Sequence, residues 1–287
     1  MLWIDGRVAD ERSVSISVRD RTFEHGLGLF ETTRTWNRQA PLLDRHLARL
    51  RRSACELGLS LDGVRLPDPE SVAELLDAEK PTDDVVLRLT LSGGIGGTGG
   101  ASLWMRALPL PPPVRPGGAV VEVGSWSVLA DDELARHKTL NYWSRRRAHE
   151  KARGLGFDEV LSVGQRDGST VVWEGSRTNL FVVAGETLKT PSLEGPLVPG
   201  IMRALVLECA AETSLQIREV EGLPLADVRG ADEVFLTNSA RGVIPVARVH
   251  AMGRDDRFVG DVPDTWTQRL MRLVRDRLDG SAGGNRS

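Results

Sequence analysis

The stretch Pro109-Leu110-Pro111-Pro112-Pro113-Val114-Arg115-Pro116-Gly117-Gly118 is the most linker-like part of this chain. Proline stiffens such a stretch and a Gly-Gly pair releases it, which is typical of a boundary between domains. We therefore predict a small N-terminal domain over residues 1–116 and a larger C-terminal domain over residues 117–287. The small, polar residues at 280–287 predict a disordered tail.

Strand and helix patterns are interspersed on both sides of this stretch. On the N-terminal side the predicted elements are strands at 2–4, 14–18 and 85–91 and helices at about 43–58 and 70–79. On the C-terminal side they are strands at 119–123, 159–163, 171–174, 178–183, 187–189, 233–237 and 243–246 and helices at 141–154, 200–213 and 263–279. Neither side has a regular βαβ period, so the pattern predicts two α+β domains rather than one doubly wound sheet.

Composition and charge exclude several function classes. No run approaches the ~18 apolar residues of a membrane span, and the N-terminus lacks a signal-peptide pattern, so we expect a cytoplasmic protein with no membrane partner. The basic runs Arg49–Arg52 and Arg145–Arg147 lie in helical patterns without interleaved aromatic residues, which predicts solvated helix faces rather than a nucleic-acid partner. No Cys/His cluster has zinc-ligand spacing, so no metal site is predicted.

Lysine is scarce in this sequence. The 37 basic residues comprise 33 arginines and only four lysines, so a mechanism that needs a lysine nucleophile has few candidates: Lys80, Lys138, Lys151 and Lys189. Lys138 lies in His137-Lys138-Thr139-Leu140-Asn141-Tyr142, where an irregular segment enters a predicted helix and an amine can point into a cleft. A lysine amine can form an imine with an aldehyde cofactor. A surface lysine is the commoner case, but the other three lie in more polar or terminal positions.

Three further segments each contain one component of a cofactor site. Glu174 ends an apolar strand in Val172-Trp173-Glu174-Gly175-Ser176, so its carboxylate can pair with a pyridine nitrogen, although it can equally be a turn acid. Pro199-Gly200-Ile201-Met202 opens a helix whose first N–H groups can bind phosphate. The small and hydroxyl residues of Thr237-Asn238-Ser239-Ala240 can also bind phosphate or form a plain turn.

In this order the segments resemble the class-IV aminotransferase family, the pyridoxal-5′-phosphate (PLP) enzymes of fold type IV. The family includes branched-chain and D-amino-acid aminotransferases, (R)-amine transaminases and 4-amino-4-deoxychorismate lyase. The resemblance covers roughly residues 2–248. It also rests on Ile4-Asp5-Gly6, on His25-Gly26-Leu27-Gly28-Leu29-Phe30-Glu31-Thr32, on Arg45-His46-Leu47-Ala48-Arg49-Leu50 and on Ile244-Pro245-Val246.

The resemblance implies a role for each matching residue. Lys138 corresponds to the Schiff-base lysine and also to the proton shuttle, and Glu174 to the partner of the pyridine nitrogen. The residues that correspond to phosphate ligands are Arg49, Gly200, Ile201, Met202, Ser239 and Ala240. Tyr142, the only tyrosine, falls where some members place a phenol beside the cofactor ring. The implied fold is a small N-terminal α/β sandwich and a larger C-terminal pseudo-barrel domain with PLP in the cleft between them. Members are usually homodimers whose N-terminal loops help to complete the neighbouring site.

Substrate identity depends on where the sequence departs from the family pattern. Leu27 stands where many members have an acid, and Gly93 and Thr98 stand where the lyase commonly has arginines. A buried substrate carboxylate needs a fixed cation. We expect Phe30 and Thr32 to contact substrate, and the candidate cations are Arg34, Arg88 and Arg106.

We predict transamination between an amino acid or amine and a 2-oxo acid, because that reaction needs less fixed positive charge than the lyase reaction, which stays open as the alternative. A nucleotide-binding module is less consistent with the sequence, because the glycine-rich loop at 92–100 lacks the Gly-Lys-Ser/Thr of a phosphate-binding loop. A binding protein without catalysis is also less consistent, since Lys138 and Glu174 are both present.

Overall fold

The computed structural model describes residues 1–96, 100–251, 254–258 and 264–280, and it divides the chain into two compact units. Unit 1 comprises Met1–Pro111 and His137–Tyr142, and unit 2 comprises Pro112–Arg136 and Trp143–Ser287. The tail that we predict at 280–287 lies outside the described residues except for Gly280. No helix in the described ranges combines the length and the apolar content that a membrane crossing requires.

Unit 1 is an antiparallel sheet covered by two helices. Its elements are β1 (Leu2–Ile4), β2 (Arg7–Ala9), α1 (Arg21–His25), β3 (Gly28–Arg34), α2 (Leu43–Glu56), α3 (Pro69–Glu79), β4 (Val85–Ser92) and β5 (Leu103–Pro109). The strand order is β2-β1-β5-β4-β3. One side of the sheet packs with the apolar stripes of α2 and α3 in a core that includes Leu29, Leu47, Leu50, Leu75, Leu76, Leu87, Leu89, Leu91 and Met105.

The opposite side of this sheet carries the polar candidates. Side chains alternate between the two faces of a strand, so the residues between the core leucines point away from the helices. Thr32 pairs with Arg88 in the β3–β4 register, and Arg88 pairs with Arg106 in the β4–β5 register. Phe30 and Arg34 lie two residues from Thr32 along β3 and therefore share its face. The sheet thus brings all five predicted substrate residues onto one surface.

The segment His137–Tyr142 runs beside β3 as an extended chain. Phe30 N–H donates to the Lys138 carbonyl at 2.9 Å, Leu140 N–H donates to the Gly28 carbonyl at 2.9 Å, and Leu29 and Thr139 are bridge partners. These bonds attach the lysine segment to unit 1, although the predicted domain boundary places it in the C-terminal domain. The observed division after Pro111 also precedes the predicted boundary at residue 116.

Unit 2 is built around a larger mixed sheet. Its elements are β6 (Ala119–Ser127), α4 (Trp143–Gly154), β7 (Glu159–Arg166), β8 (Ser169–Gly175), β9 (Asn179–Ala184), β10 (Thr187–Pro191), α5 (Ile201–Ala211), β11 (Gln216–Val220), β12 (Leu223–Pro224), α6 (Leu225–Gly230), β13 (Glu233–Asn238), β14 (Gly242–Ala251), β15 (Arg254–Phe258) and α7 (Trp266–Leu278). The strand order is β11-β10-β9-β13-β14-β6-β7-β8-β12, with β15 on β14.

A pairing between β8 and β9 closes part of this sheet into a ring. Glu174 of β8 pairs with Asn179 of β9, so β9, β13, β14, β6, β7 and β8 form a closed circuit of neighbouring strands. Alternate apolar residues of the ring fill its core, among them Val121, Val123, Leu161, Val172, Leu180, Val182, Val234, Leu236, Ile244 and Val246. The predicted mixture of strands and helices in both parts is confirmed, and Glu174 lies at the closing pair.

One predicted strand is wrong. Residues 14–18 alternate in polarity, but they form no strand in the described structure, and a short 3-10 turn at Glu11–Ser13 precedes them. Val18 is 81% exposed. Alternation predicts a strand only if one face is buried, and this segment covers no core.

Candidate active site

Lys138 is half-buried next to two aromatic rings of unit 1. Its Nζ lies 4.5 Å from the centroid of the Phe30 ring and 5.8 Å from that of Tyr142. The two rings contact each other edge to face, with centroids 5.1 Å apart. Gly28 permits the close approach of this segment to β3, because its φ is +141° and a Cβ there would lie 2.7 Å from Leu140 Cδ1.

Arg88 stacks on the Phe30 ring that Lys138 also approaches. Its guanidinium carbon lies 3.5 Å from the ring centroid, and its Nη1 donates to Thr32 Oγ1 at 3.5 Å. Burial lowers the pKa of Arg88 to about 10, and the nearby charge of Arg106 acts in the same direction. No salt bridge to Arg88 is found within the described residues. The side chain is therefore a desolvated cation that contacts the same aromatic ring as the lysine amine.

The other two candidate arginines differ from Arg88. Arg34 forms a salt bridge with Asp84 at 3.9 Å and lies 4.0 Å above the Trp36 ring, at the outer strand of the sheet. Arg106 is exposed. Among the three arginines proposed from the sequence, Arg88 alone combines partial burial with a contact to Phe30.

Arg49 belongs to a buried cluster with Glu31 and His46. Its Nε donates to Glu31 Oε1 at 2.8 Å, its Nη2 donates to Oε2 at 2.6 Å, and His46 Nδ1 lies 2.7 Å from Oε2. Burial would raise the pKa of Glu31, but the charge of Arg49 and the hydrogen bonds from Arg49 and His46 outweigh it and hold this pKa below its ordinary value. Burial lowers the pKa of His46, so the imidazole is neutral and donates its Nδ1–H to Glu31.

This cluster was not predicted, and the burial of Arg49 differs from the prediction. The run Arg49–Arg52 predicts a solvated helix face, but Arg49 is 5% exposed. The signal was available, because Arg49 lies on the stripe of His46 and Leu50, three residues after the first and beside the second. The structure holds Arg49 rigidly through Glu31, and its predicted role as a phosphate ligand stays a prediction.

Glu174 lies at the end of β8 among several donors of unit 2. Arg145 Nη2 donates to its Oε1 at 2.5 Å, the Val198 N–H lies 3.1 Å from Oε2, and Asn179 Nδ2 donates to Oε2 at 3.3 Å. Glu174 is 2% exposed. Charge-assisted hydrogen bonds to a buried carboxylate favour its ionised form. The prediction that Arg145–Arg147 form a solvated face is wrong for Arg145, which is 8% exposed.

Glu159 organises the turn that follows Glu174. Its carboxylate accepts from the Ser176 hydroxyl and N–H, from the Arg177 N–H at 3.3 Å and from Thr178 Oγ1 at 3.3 Å. Burial would raise the pKa of Glu159, but hydrogen bonds from His149, Ser176 and Val160 lower it below its ordinary value. The carboxylate thereby fixes the turn between β8 and β9 on which Glu174 and Asn179 depend.

The strand register of unit 2 brings the loop with two of the predicted phosphate ligands, Ser239 and Ala240, to the same edge as Glu174. Glu174 pairs with Asn179, and Asn179 pairs with Thr237, so the three lie side by side across β8, β9 and β13, over about 10 Å at the usual strand spacing. Ser239 and Ala240 follow Thr237 after one residue, Asn238, and the Ala240 N–H donates to Asn238 Oδ1 at 3.1 Å. Asn238 thus shapes the loop, a role that the sequence analysis did not assign.

The start of α5 reaches the same row through Asn179. Asn179 Nδ2 donates to the Val198 carbonyl at 3.0 Å, and a Cβ on Gly200 would lie 1.9 Å from Asn179 Oδ1. Gly200 is the N-cap of α5 and provides no side-chain cap, while Ile201 and Met202 form the first turn. The first N–H groups of α5 therefore need hydrogen-bond acceptors from another source, and an anion can provide them.

These residues fit PLP. In the described part of the chain the buried Thr237 hydroxyl has no hydrogen-bond partner, and it lies next to the loop and helix start predicted to bind phosphate. Glu174 is an anion suited to a protonated ring nitrogen, and Lys138 is an amine suited to an aldehyde. Thr98, one of the two positions compared with the lyase, lies outside the described residues. Gly93 is described, and its carbonyl accepts from Arg21 Nε at 2.9 Å.

Comparison with known proteins identifies the family. The model of the class-IV aminotransferases matches residues 28–249, so the chain belongs to this family of PLP-dependent enzymes. A putative branched-chain-amino-acid aminotransferase of Methanocaldococcus jannaschii is 28% identical over 285 residues, which is 96% of this chain and 95% of that protein.

Two solved structures support the fold. A branched-chain aminotransferase from Thermoproteus uzoniensis, solved with norvaline, has a TM-score of 0.82 and 26% identity over 97% of this chain and 94% of its own. A 4-amino-4-deoxychorismate lyase from Pseudomonas aeruginosa has a TM-score of 0.77 and 30% identity over 97% of this chain and all of its own. The predicted fold type IV and the predicted cofactor are confirmed.

Proposed function

We propose that this protein is an aminotransferase that moves an amino group between an amino acid and a 2-oxo acid. The observation that carries the proposal is Arg88, a partly buried guanidinium that stacks on Phe30, while the Lys138 amine approaches the same ring. A guanidinium binds a carboxylate with two parallel hydrogen bonds. Arg88 can therefore orient the carboxylate of an amino acid while its amino group lies near Lys138.

PLP, when bound, supplies an aldehyde that joins amines and a ring that accepts electron density from Cα. We propose that Lys138 Nζ holds the cofactor and then takes and returns the proton at the substrate Cα. Phe30 and Tyr142 place aromatic ring surface beside this amine. Thr32 fixes the guanidinium of Arg88.

The phosphate and ring ligands follow from the row described above. We propose that Glu174 pairs with the pyridine nitrogen and that the N–H groups at Ile201 and Met202, with Ser239 and Ala240, hold the phosphate. Arg49 is the proposed cationic phosphate ligand, and Glu31 keeps its guanidinium in one orientation. Ion pairs with Arg145 and Glu31 preorganise Glu174 and Arg49, which favours tight cofactor binding.

Aliphatic amino acids are the proposed donors. The Methanocaldococcus jannaschii relative is named a putative branched-chain-amino-acid aminotransferase, and the Thermoproteus uzoniensis structure contains norvaline. The aromatic rings of Phe30 and Tyr142 provide apolar contact area beside Lys138 that suits an aliphatic side chain.

The lyase reaction is the second candidate. The Pseudomonas aeruginosa lyase is 30% identical over nearly the whole chain, and Arg88 and Arg106 are cross-strand neighbours that could each bind one carboxylate of a dianionic substrate. Exposed Arg106 and the uncharged Gly93 argue against it, because an exposed cation is weakened by solvent.

A second copy of the chain is the proposed macromolecular partner. Unit 1 exposes several apolar side chains around α1 and the start of the glycine-rich loop: Val18, Phe23, Leu27 and Ile95. A cluster of exposed apolar side chains indicates an interaction surface, and family members are usually homodimers.

The test uses purified protein with PLP and a panel of L- and D-amino acids, (R)-1-phenylethylamine and 2-oxoglutarate. Formation of the new amino acid and the new 2-oxo acid is measured by mass spectrometry, and 4-aminobenzoate formation from 4-amino-4-deoxychorismate is measured in parallel. Amino transfer from at least one donor supports the proposal. Aminobenzoate formation without amino transfer from any donor would show that the lyase is correct.

A further inference from the structure

Arg145 is a buried cation in an unfavourable place. It lies in the first turn of α4, where the helix dipole disfavours positive charge, and it is 8% exposed. Burial of an arginine is also unfavourable unless its charge is compensated. Its neighbours Arg146 and Arg147 avoid both effects by pointing into solvent, and Arg146 pairs with Glu150 along the helix. The position of Arg145 therefore needs a specific partner.

The partner is Glu174. Arg145 Nη2 donates to Glu174 Oε1 at 2.5 Å and to the Ala135 carbonyl at 3.1 Å, and its guanidinium carbon lies 5.4 Å from the Trp126 ring centroid. The guanidinium is thus fixed from three directions, and it engages one oxygen of the carboxylate.

The remaining donors set the orientation of Glu174. Asn179 Nδ2 approaches Oε2 at 3.3 Å, and the Val198 N–H lies 3.2 Å from Oε1 and 3.1 Å from Oε2. Asn179 and Val198 offer neutral donors, whereas Arg145 offers a full positive charge at the shortest of these distances. A cation at this distance strongly favours the ionised carboxylate.

We propose that Arg145 is a positioning residue that keeps Glu174 ionised and oriented for the cofactor's pyridine nitrogen. This inference rests on the proposed role of Glu174. Without Arg145, the buried Glu174 carboxylate would lose the positive charge that lies 2.5 Å from its Oε1, and its protonated form would become more favourable. Arg145 therefore acts on the cofactor through Glu174.

The first test follows the protonation of Glu174 by infrared difference spectroscopy on the full-length protein, with PLP and after its removal. Four proteins are compared: wild type, Glu174→Gln, Arg145→Met and the double variant. The spectrum of wild type minus that of Glu174→Gln should contain only the bands of an ionised carboxylate. The spectrum of Arg145→Met minus that of the double variant should contain the carbonyl band of a protonated carboxyl group at neutral pH. A protonated Glu174 in wild type, or an ionised one in Arg145→Met, would overturn the proposal.

The second test measures the PLP dissociation constant of the same proteins between pH 6 and 9. Arg145→Met should weaken binding by about 10-fold at pH 7, the loss expected for one charge-assisted hydrogen bond, and by less at higher pH, where Glu174 ionises again. In the Glu174→Gln background the same substitution should change affinity by less than about 2-fold, as expected when the shared interaction is already gone. Equal weakening in both backgrounds would show that Arg145 only supports the fold.

The controls separate charge from packing. Arg146→Met, on the exposed neighbour, should leave the dissociation constant and its pH profile unchanged, and Arg145→Lys should restore most of the affinity. If Arg145→Met does not fold, the double variant, which leaves no unpaired buried charge, and Arg145→Lys still carry the comparison. A wild-type protein without PLP affinity would contradict the proposed function, whereas wild-type affinity with equal effects in both backgrounds would contradict only the role of Arg145.

Discussion

Phe30 and Lys138 are joined twice: the Phe30 N–H donates to the Lys138 carbonyl at 2.9 Å, and the Lys138 amine lies 4.5 Å from the Phe30 ring centroid. A strand early in the chain therefore fixes both the backbone and the side chain of the proposed cofactor lysine. The backbone bond fixes the main chain of Lys138, and the Phe30 ring restricts the position of its amine.

The first prediction is that Lys138 alone carries the cofactor. Borohydride reduction followed by peptide mapping should place the pyridoxyl group on Lys138, and Lys138→Ala should abolish this label. Lys189 is the matched control, because it is the other partly buried lysine among the described residues and it pairs with Asp227 at 2.8 Å. Label on Lys189, Lys80 or Lys151 would contradict the assignment.

The second prediction concerns Glu174. Glu174→Gln should leave PLP bound but reduce the first-order rate of amino transfer by at least about 10- to 100-fold, as expected for loss of a charged hydrogen bond of roughly 1.5–3 kcal/mol. Stopped-flow measurement of the amino-donor half-reaction gives this rate. Glu122→Gln is the control, because Glu122 is a partly buried glutamate on β6 that does not belong to the Glu174–Asn179 pair. An unchanged rate would remove Glu174 from the mechanism.

The third prediction uses the depressed pKa of Glu31. A carboxylate whose folded pKa lies below its unfolded value of about 4.3 contributes stability that is fully present above that value and is lost as pH falls through the folded pKa. Glu31→Gln should lower the free energy of unfolding at pH 7 by about 3–5 kcal/mol, because the buried Arg49 then loses the carboxylate to which it donates two hydrogen bonds.

Urea unfolding at pH 7 and pH 3 checks this expectation. The difference between wild type and Glu31→Gln should shrink at pH 3, since the wild-type carboxylate begins to lose its advantage there. Glu74→Gln, an exposed substitution on α3 in the same unit, should show no comparable pH-dependent difference. A constant gap at both pH values would mean that the ionisation of Glu31 contributes nothing.

The fourth prediction is that Arg88 binds the substrate carboxylate. Arg88→Met should raise KM for an amino acid donor by about 10-fold or more, the effect of losing one charged contact. The same variant should change KM for (R)-1-phenylethylamine little, since this amine has no carboxylate. Arg106→Met is the matched control: it removes the exposed cross-strand neighbour of Arg88 and should leave KM for the amino acid donor unchanged. An equal change in KM for the amino acid and for the amine would contradict carboxylate binding by Arg88.

The fifth prediction concerns assembly. Light scattering after gel filtration should give twice the 31.4 kDa chain mass. Phe23→Asp should shift the protein toward the monomer, because Phe23 is 65% exposed and a charge there disfavours an apolar interface. Glu24→Asp, the adjacent conservative change, should not. A wild-type monomer at all concentrations would rule out the dimer.

The sequence by itself determined the family, the cofactor chemistry and most secondary structure. Motifs such as Lys138-Thr139-Leu140-Asn141 and Pro199-Gly200-Ile201 carry their chemistry within a few residues, so local order is enough to recognise them. The helices that we predict at 43–58 and 70–79 correspond to Leu43–Glu56 and Pro69–Glu79, because periodic apolar residues mark a buried face directly.

Only the tertiary structure decided which charged residues are buried and what they contact. Arg145, Arg146 and Arg147 are identical in type, but successive helix positions differ by about 100°, so only one of them faces the sheet and meets Glu174. Glu31 likewise binds Arg49 because β3 lies against α2, a contact between separate segments that no local pattern contains. Burial and ion pairing depend on such long-range packing, and for that reason the sequence predicted Lys138 and Glu174 but not the residues that hold them in place.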